Sequence, residues 1–427
     1  MARKMKDSGI EWIGEIPEGW EVSQLKYATR WKSEKGCPDE PVLSLYRDFG
    51  VVPKDSRDDN HNVTSLDTSN YKVVDIGDLV INKMKAWQGS MAVSDYRGIV
   101  SPAYHVCSIT SNKVNKRYLH HLLRNPAYLP EYVRLSTGMR IGQWDLGFDD
   151  FKNIPFLIPP LDEQAKIADY LDNGCTYLDS ILDKTHSSIE EYKKLKRAVI
   201  TQAVTKGVRG DREMKDSGVE WIGEIPKEWV IQKIKSISSR INVGVVIRPS
   251  EYFDENGTVP FLRGINVKEY LISSDNMVYI NESSNHILSK SQVHTDDILI
   301  VRDGSIGTSC VVPAEYDGAN VVSMVIITPS ISCDSRFICY SLNSDVGKTQ
   351  FTLTKIGSAL THTSVSAVSD IIVAVPSCAE QKEIADCLDA KCAEIDGLIA
   401  KKEQLVKELE GYKKSLIYEV VTGKREV

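Results

Sequence analysis

Between Pro159-Pro160 and Gly207, apolar positions fall at Leu171, Cys175, Leu178, Leu182, Ile189, Tyr192, Val199 and Ala203, a spacing built from steps of four and three. No proline interrupts the stretch and Asp162 stands at its start, so the pattern predicts one long helix capped by Asp162. Adding 217 gives Leu388, Cys392, Ile395, Ile399, Val406, Leu409, Leu416 and Val420, the same stripe near the end of the chain. The polar interruptions also coincide, Thr185 with Lys402 and Lys196 with Lys413. Two stripes with shared defects predict a coiled-coil seam, with Leu171, Leu178, Leu182, Ile189 and Val199 on one helix and Leu388, Ile395, Ile399, Val406 and Leu416 on the other. Asn173-Gly174 permits a bend in the first. Each helix is acidic early (Asp162, Glu163, Asp169, Asp172, Asp179, Asp183; Glu380, Glu383, Asp386, Asp389) and basic late (Lys193, Lys194, Lys196, Arg197; Lys413, Lys414, Lys424, Arg425). Opposite charges meet only if the helices run antiparallel. At 1.5 Å per residue, such a helix spans roughly 65–70 Å.

The remaining segments alternate differently. Tyr71–Val74, Leu79–Ile81, Ile298–Val301, Cys310–Val312 and Val321–Ile327 read as strands of a mixed sheet, and 117–123 and 335–342 as short helices. The fold class is α/β in the broad sense (α+β), each segment being about 130–140 residues and large enough for its own core.

The chain is written twice. Residues 5–22, MKDSGIEWIGEIPEGWEV, recur as 214–231, MKDSGVEWIGEIPKEWVI, with 13 of 18 positions identical. EQAKIADYLDNGCTYLDSIL at 163–182 recurs as EQKEIADCLDAKCAEIDGLI at 380–399. Between these blocks only a skeleton repeats: Gly77-Asp78-Leu79-Val80-Ile81 against Asp296-Asp297-Ile298-Leu299-Ile300, and Asn153-Ile154 with Pro159 against Asp370-Ile371 with Pro376. Like frames with unlike faces predict two domains of one fold that touch different things, in a pseudo-twofold tandem duplication. The expected divisions are a domain over 1–158, a helix over 159–208, a second domain over 209–376 and a second helix over 377–427.

Composition narrows the class. Fifty-two basic against fifty-nine acidic residues give −7, which excludes a basic nucleic-acid binder as a whole-chain description but not a local basic face. No run of apolar residues is long enough for a membrane span, and the first twenty residues lack the apolar core of an export signal. Nine cysteines without a C-x-x-C pair read as reduced thiols of a cytoplasmic protein. Gly347-Lys348-Thr349 lacks the glycine five residues earlier, where Leu342 stands, so no phosphate-binding loop is predicted. No G-x-G-x-x-G opens a helix after a strand. Neither His120-His121 nor Asp58-Asp59-Asn60-His61 has metal-ligand spacing, and Pro38-Asp39 is not followed by an acidic-x-Lys within about thirty residues. Neither a catalytic residue nor a metal site is expected.

What recurs is loop chemistry suited to nucleic acid. Lys83, Lys85, Gln88 and Arg97, then Arg140 and Gln143, form the candidate set of the first segment. Arg263, Asn266, Arg302, Ser305, Thr308 and Lys355 form that of the second. Lysine and arginine take phosphates, amides pair with adenine edges, and nearby glycines let backbone approach. Trp87 fits either a contact or a packing role. Three readings stay open on the residues alone: a DNA reader, a self-contained nuclease or methyltransferase, and an assembly scaffold that never touches DNA.

The blocks MKDSGIEWIGEIPEGW, GDLVINKMKAWQGS…SDYRGIVSPAYHV, STGMR…FDDFKNIPFLIPPLDEQAKIADYLD and LKRAVITQAVTKG occur in an order that strongly resembles the specificity subunit of type I restriction-modification systems. The second half matches more loosely, Val375-Pro376-Ser377-Cys378-Ala379-Glu380-Gln381 replacing Ile158-Pro159-Pro160-Leu161-Asp162-Glu163-Gln164. The resemblance implies two target recognition domains separated by helices that form an antiparallel coiled coil. It implies a non-catalytic adaptor in which each domain reads one half of a split double-stranded DNA target. Two modification (methyltransferase) subunits would dock on the helices and motor-nuclease subunits would join them. The methyl donor, ATP and Mg would then sit on those partners, with no cofactor here.

Overall fold

A computed structural model describes every residue except 1, 2, 48, 58–63, 66, 141, 142 and 357–361, together with the side chains of all but 139, 140, 143 and 354–356 among the rest. Two long helices, Leu161–Lys206 and Cys378–Val421, run without a break, the first straight through Asn173-Gly174. The first helix starts at Leu161, so Asp162 sits inside its first turn and not at the cap. The chain divides into two compact units, one of 1–186 with 404–427 and one of 187–403.

In the first unit, strands β1 (Glu21–Gln24), β2 (Thr29–Lys32), β3 (Asp78–Asn82), β4 (Met91–Val93), β5 (Tyr104–Ile109) and β6 (Pro155–Ile158) form the framework. β2-β5-β3-β4 make a four-stranded antiparallel sheet, and β1 pairs with β6. Leu79, Ile81, Met91, Val93 and Cys107 face the main core, joined by Leu119 and Leu122 of α1 (Lys116–Leu123). Val80, Ala92 and Val106 face a second cluster with Leu43, Leu45 and Val100. Covering on both faces explains why β3 reads as an unbroken apolar run and not an alternating one. Ile167, Ala168, Leu171 and Leu178 of the first long helix share the main core with Leu416, Val420 and Val421 of the second. The two run antiparallel here, and Lys413 Nζ holds both oxygens of Asp179 at 2.5 and 2.7 Å.

The second unit repeats the plan. Its strands are β7 (Val230–Lys233), β8 (Ser238–Val243), β9 (Ile298–Val301), β10 (Ser309–Val311), β11 (Met324–Pro329) and β12 (Ile372–Val375). The sheet order β8-β11-β9-β10 and the β7–β12 pair match the first unit. Ile298, Ile300, Val325 and Ile327 pack with Phe337 and Leu342 of α2 (Ser335–Asn343), with Phe351 of α3 (Asp345–Ile356), and with the long helices through Ile200, Val204, Leu388 and Cys392. Lys196 Nζ holds both oxygens of Asp396 at 2.6 and 2.8 Å, the counterpart of Lys413 and Asp179 at an offset of 217.

The segment expected as one strand over 321–327 is two. Ser323 has φ 48°, in the left-handed region, and turns Asn320–Val321 onto the strand Val259–Leu262 while β11 joins the large sheet. On the long helices, Leu171, Leu178, Ile189, Leu388, Ile395, Val406 and Leu416 are buried, whereas Leu182, Val199 and Ile399 are half-buried. Ile200 and Val204 are buried where Val199 was expected to lead. A straight helix drifts from a strict seven-residue repeat, and here the buried face turns toward the sheet.

Candidate nucleic-acid interface

β3 ends at Asn82, and the chain turns through a short 3-10 segment, Ala86–Gln88, before β4. Gly89 closes that turn at φ 82°, a conformation glycine adopts without strain, and its N–H donates to the Ala86 carbonyl at 2.7 Å. Lys85 and Gln88 are exposed on the turn. A hairpin of Ser136–Arg140 and Gln143–Leu146 lies against it: Leu146 N–H donates to the Lys83 carbonyl at 3.0 Å, and Lys83 Nζ is 3.0 Å from Asp145 Oδ2. Trp87 meets Trp144 edge-on at 5.2 Å and donates its Nε1–H to the Met84 carbonyl at 3.2 Å, so it packs the two loops together. Arg140 and Gln143 belong to this hairpin by backbone, with side chains outside the described set. The structure thus joins two loops through Lys83 and Leu146, which lie 63 positions apart in sequence.

Lys72 lies buried beneath these loops and carried no signal of its own in the sequence. Its ammonium donates to the Tyr104 carbonyl at 2.5 Å and lies 5.1 Å from the centre of the Trp31 ring. Burial, then the nearby charges of Lys35 and Lys83, hold it below the ordinary lysine range. His105 is also held down, by burial and then by Lys72 and Lys83, against a hydrogen bond to the Leu146 carbonyl that pulls the other way. Burial is the larger cause for both groups, and the nearby lysines add to it. Arg97, of the candidate set, has its guanidinium held by Glu40 at 2.8 Å and by Asp75.

The second unit builds the corresponding place from other residues. The β9–β10 turn carries Arg302, Ser305 and Thr308, with Gly304 and Gly307 at φ 77° and 88°. Thr363 N–H donates to the Arg302 carbonyl at 3.1 Å, as Leu146 does to Lys83, and Arg302 Nε donates back to the Thr363 carbonyl at 3.0 Å. Ser305 is exposed and Thr308 half-buried. A Cβ on Gly307 would fall 2.5 Å from the Phe351 ring, so this turn sits on α3 without a side chain between. Lys355 lies on α3, its side chain outside the described set, and residues 357–361 are outside it altogether.

Asn266 corrects an expectation. It is fully buried, accepting from the Arg263 N–H at 3.0 Å and donating to the Ser273 and Asp275 carbonyls at 3.1 and 2.8 Å. Its amide braces its own loop and has no free edge for a base. Arg263 likewise folds back to donate to the Asn276 carbonyl. Sequence shows which residues carry donors; it does not show which donors the loop consumes.

A second arrangement, also missed in the sequence, appears once in each unit. Asn115 caps α1 by accepting from the Arg117 and Tyr118 N–H groups at 3.0 and 3.2 Å, and its own N–H donates to buried Gln164 of the first long helix at 2.8 Å. Arg117 then reaches Asp169 and, at 3.0 Å, Asp172 on that helix, while His121 Nε2 is 2.7 Å from Asp172. The His121 hydrogen bond, aided by Arg117, holds the Asp172 carboxyl below its ordinary range. In the second unit Asp334 caps α2, its N–H donates to buried Gln381 at 2.9 Å, and Arg336 reaches Asp386 at 2.8 Å and Asp389 at 2.5 Å. Tyr340 donates to Asp389 at 2.7 Å in the place of His121. A constant shift of 219 relates the arginines and 217 the aspartates, which is why neither repeat offset alone exposes the pairing.

All nine cysteines are free. Among the described residues no three histidine, cysteine or acidic side chains gather as a metal set, and no helix is long and apolar enough to cross a membrane.

The family described as the type I restriction modification DNA specificity domain matches residues 17–191 and again 226–408. A putative type I restriction enzyme specificity subunit, MjaX, of Methanocaldococcus jannaschii is 25% identical over 96% of this chain and 95% of its own length. The EcoKI specificity subunit of Escherichia coli is 22% identical over 47% of this chain and 44% of its own. Among solved structures, a chain from work on complex assembly and conformational transition of the type I R-M system superposes with a TM-score of 0.72, at 14% identity, over 95% of this chain and 98% of that one. The HsdS subunit of Thermoanaerobacter tengcongensis gives 0.51 at 15% identity over 96% and 98%. At such identities the structural likeness speaks to the fold, and the two family matches speak to descent. With both halves matched and the same sheet built twice, this chain belongs to the type I restriction-modification DNA specificity family, as a tandem member with two specificity domains.

Proposed function

We propose that this chain is the DNA-reading subunit of a type I restriction-modification complex, each unit recognising one half of a bipartite double-stranded target. The observation that carries the reading is the pairing of one sheet framework with two unlike loop sets, Lys83–Gly89 with Ser136–Leu146 in one unit and Arg302–Thr308 with His362–Thr363 in the other. Phosphate contacts from Lys83, Lys85, Arg140, Arg302 and Lys355 would position each unit, and Gln88, Gln143, Ser305 and Thr308 would meet base edges.

The long helices set the gap between half-sites and dock two methyltransferase subunits, which motor-nuclease subunits then join. The chain itself performs no bond chemistry: methyl donor, ATP and Mg belong to those partners. The expected divisions between reading domains and helices, at 158, 208 and 376, place each loop set in its own reader.

The reading is tested by replacing residues 23–153 with the corresponding segment of another family member and mapping methylated bases in the assembled complex. One half of the methylated sequence should change, with the other half and the gap retained. A change in both halves would refute the division of labour.

A further inference from the structure

The two arginine clusters described above resist explanation by stability alone. Arg117 and Arg336 are half exposed or nearly so, as are the aspartates they bind. Exposed ion pairs of this kind contribute little, about 0–1 kcal/mol. Yet the arrangement is kept twice, inside segments that otherwise share little: Lys116–Leu123 reads KRYLHHLL and Ser335–Leu342 reads SRFICYSL. What is kept is geometry. In each unit the arginine follows the cap residue by two, the cap's N–H is fixed by a buried glutamine, and the arginine spans two aspartates one helical turn apart. Three contacts along one face of the long helix tie the short helix to it in each unit. A lysine can also bridge two carboxylates, as Lys32 does with Asp75 and Asp78, but as a point charge on a flexible stem it lacks the planar fork that fixes direction. Although partial burial opposes it, the hydrogen bonds it donates to Asp386 and Asp389 raise the Arg336 guanidinium further above its ordinary range.

We propose that Arg117 and Arg336 are positioning residues for spacing: each fixes the angle between its recognition sheet and its own stretch of long helix, and so sets how sharply the complex discriminates gap length. The proposal rests on the bipartite reading above and concerns spacing alone, since neither arginine lies among the loop residues assigned to bases or phosphates.

The test uses the full chain assembled with its modification partner and a DNA library in which both half-sites are constant and the gap varies by one base pair. Arg117→Gln and Arg336→Gln should each lower the ratio of methylation at the preferred gap to that one base pair away by about tenfold. The bases selected within both half-sites should stay the same. Asp169→Asn with Asp172→Asn should reproduce the Arg117→Gln profile, and adding Arg117→Gln to them should change it no further. Should a glutamine variant not fold, Arg117→Lys and Arg336→Lys, which keep the charge but lose the planar fork, should give an intermediate ratio. Folded variants with an unaltered gap ratio would overturn the proposal, and so would a loss of base selection within a half-site. Failure of the parent complex to select any gap would instead remove the bipartite reading on which it stands.

Discussion

Lys83 leaves the sheet at the end of a strand that is buried throughout, so its position is fixed by β3 while its ammonium stays half exposed beside Asp145. Replacing an exposed phosphate contact should remove about one unit from the slope of log affinity against log salt. Lys83→Ala is therefore expected to flatten that slope by about one, measured by DNA binding from low to moderate salt; an unchanged slope would strike Lys83 from the contact set. Elsewhere in the first unit, His120 brings sensitivity to acid. Burial, then Arg124 and His121, pull its imidazole down to about 3. As pH falls from 7 toward 5 the unfolded chain takes up this proton and the folded one does not, so stability is full at neutral pH and declines with acid. The loss approaches roughly 2 kcal/mol at pH 5. Unfolding of His120→Gln should show a shallower decline across that range, and an identical decline would contradict the assignment. Residue identity was legible in the sequence, but accessibility was not: Asn266 and Ser305 were equal candidates until one proved buried and the other exposed.

The elements followed their patterns where the pattern was long. Both long helices were legible because a stripe sustained from 171 to 203, and again from 388 to 420, leaves little room for another structure. The antiparallel direction was legible from charge, and Lys413–Asp179 and Lys196–Asp396 show the pairing in each unit. Short elements were less secure. Val321–Ile327 reads as one strand, yet Ser323 bends it because two different neighbours compete for its halves. If the helices set the gap, adding one heptad to each lengthens them by about 10 Å. At 3.4 Å per base pair this should lengthen the preferred gap by about three base pairs. Methylation mapping would show the same half-sites further apart; an unaltered gap would rule out the helices as the spacer.

At the scale of the molecule, the duplication was plain in the chain itself. Repetition of a block such as MKDSGIEWIGEIP needs no structure to be seen, and a shared framework with divergent loops predicts shared architecture with divergent partners. The exchange of residues 23–153 belongs here, since its outcome depends on whether each unit folds its loops from its own residues, as the Lys83–Leu146 and Arg302–Thr363 bonds indicate. By itself the sequence determined the twofold repetition, the long helices, their direction and the family, all of which rest on local periodicity or on identity between blocks. Only the tertiary structure decided that distant loops meet within each unit, that Lys72 is buried beneath those of the first, that Asn266 is spent on its own loop in the second, and that Arg117 and Arg336 grip the helices. Those facts depend on which residues far apart in the chain come within a few ångströms, a relation that no spacing along the chain encodes.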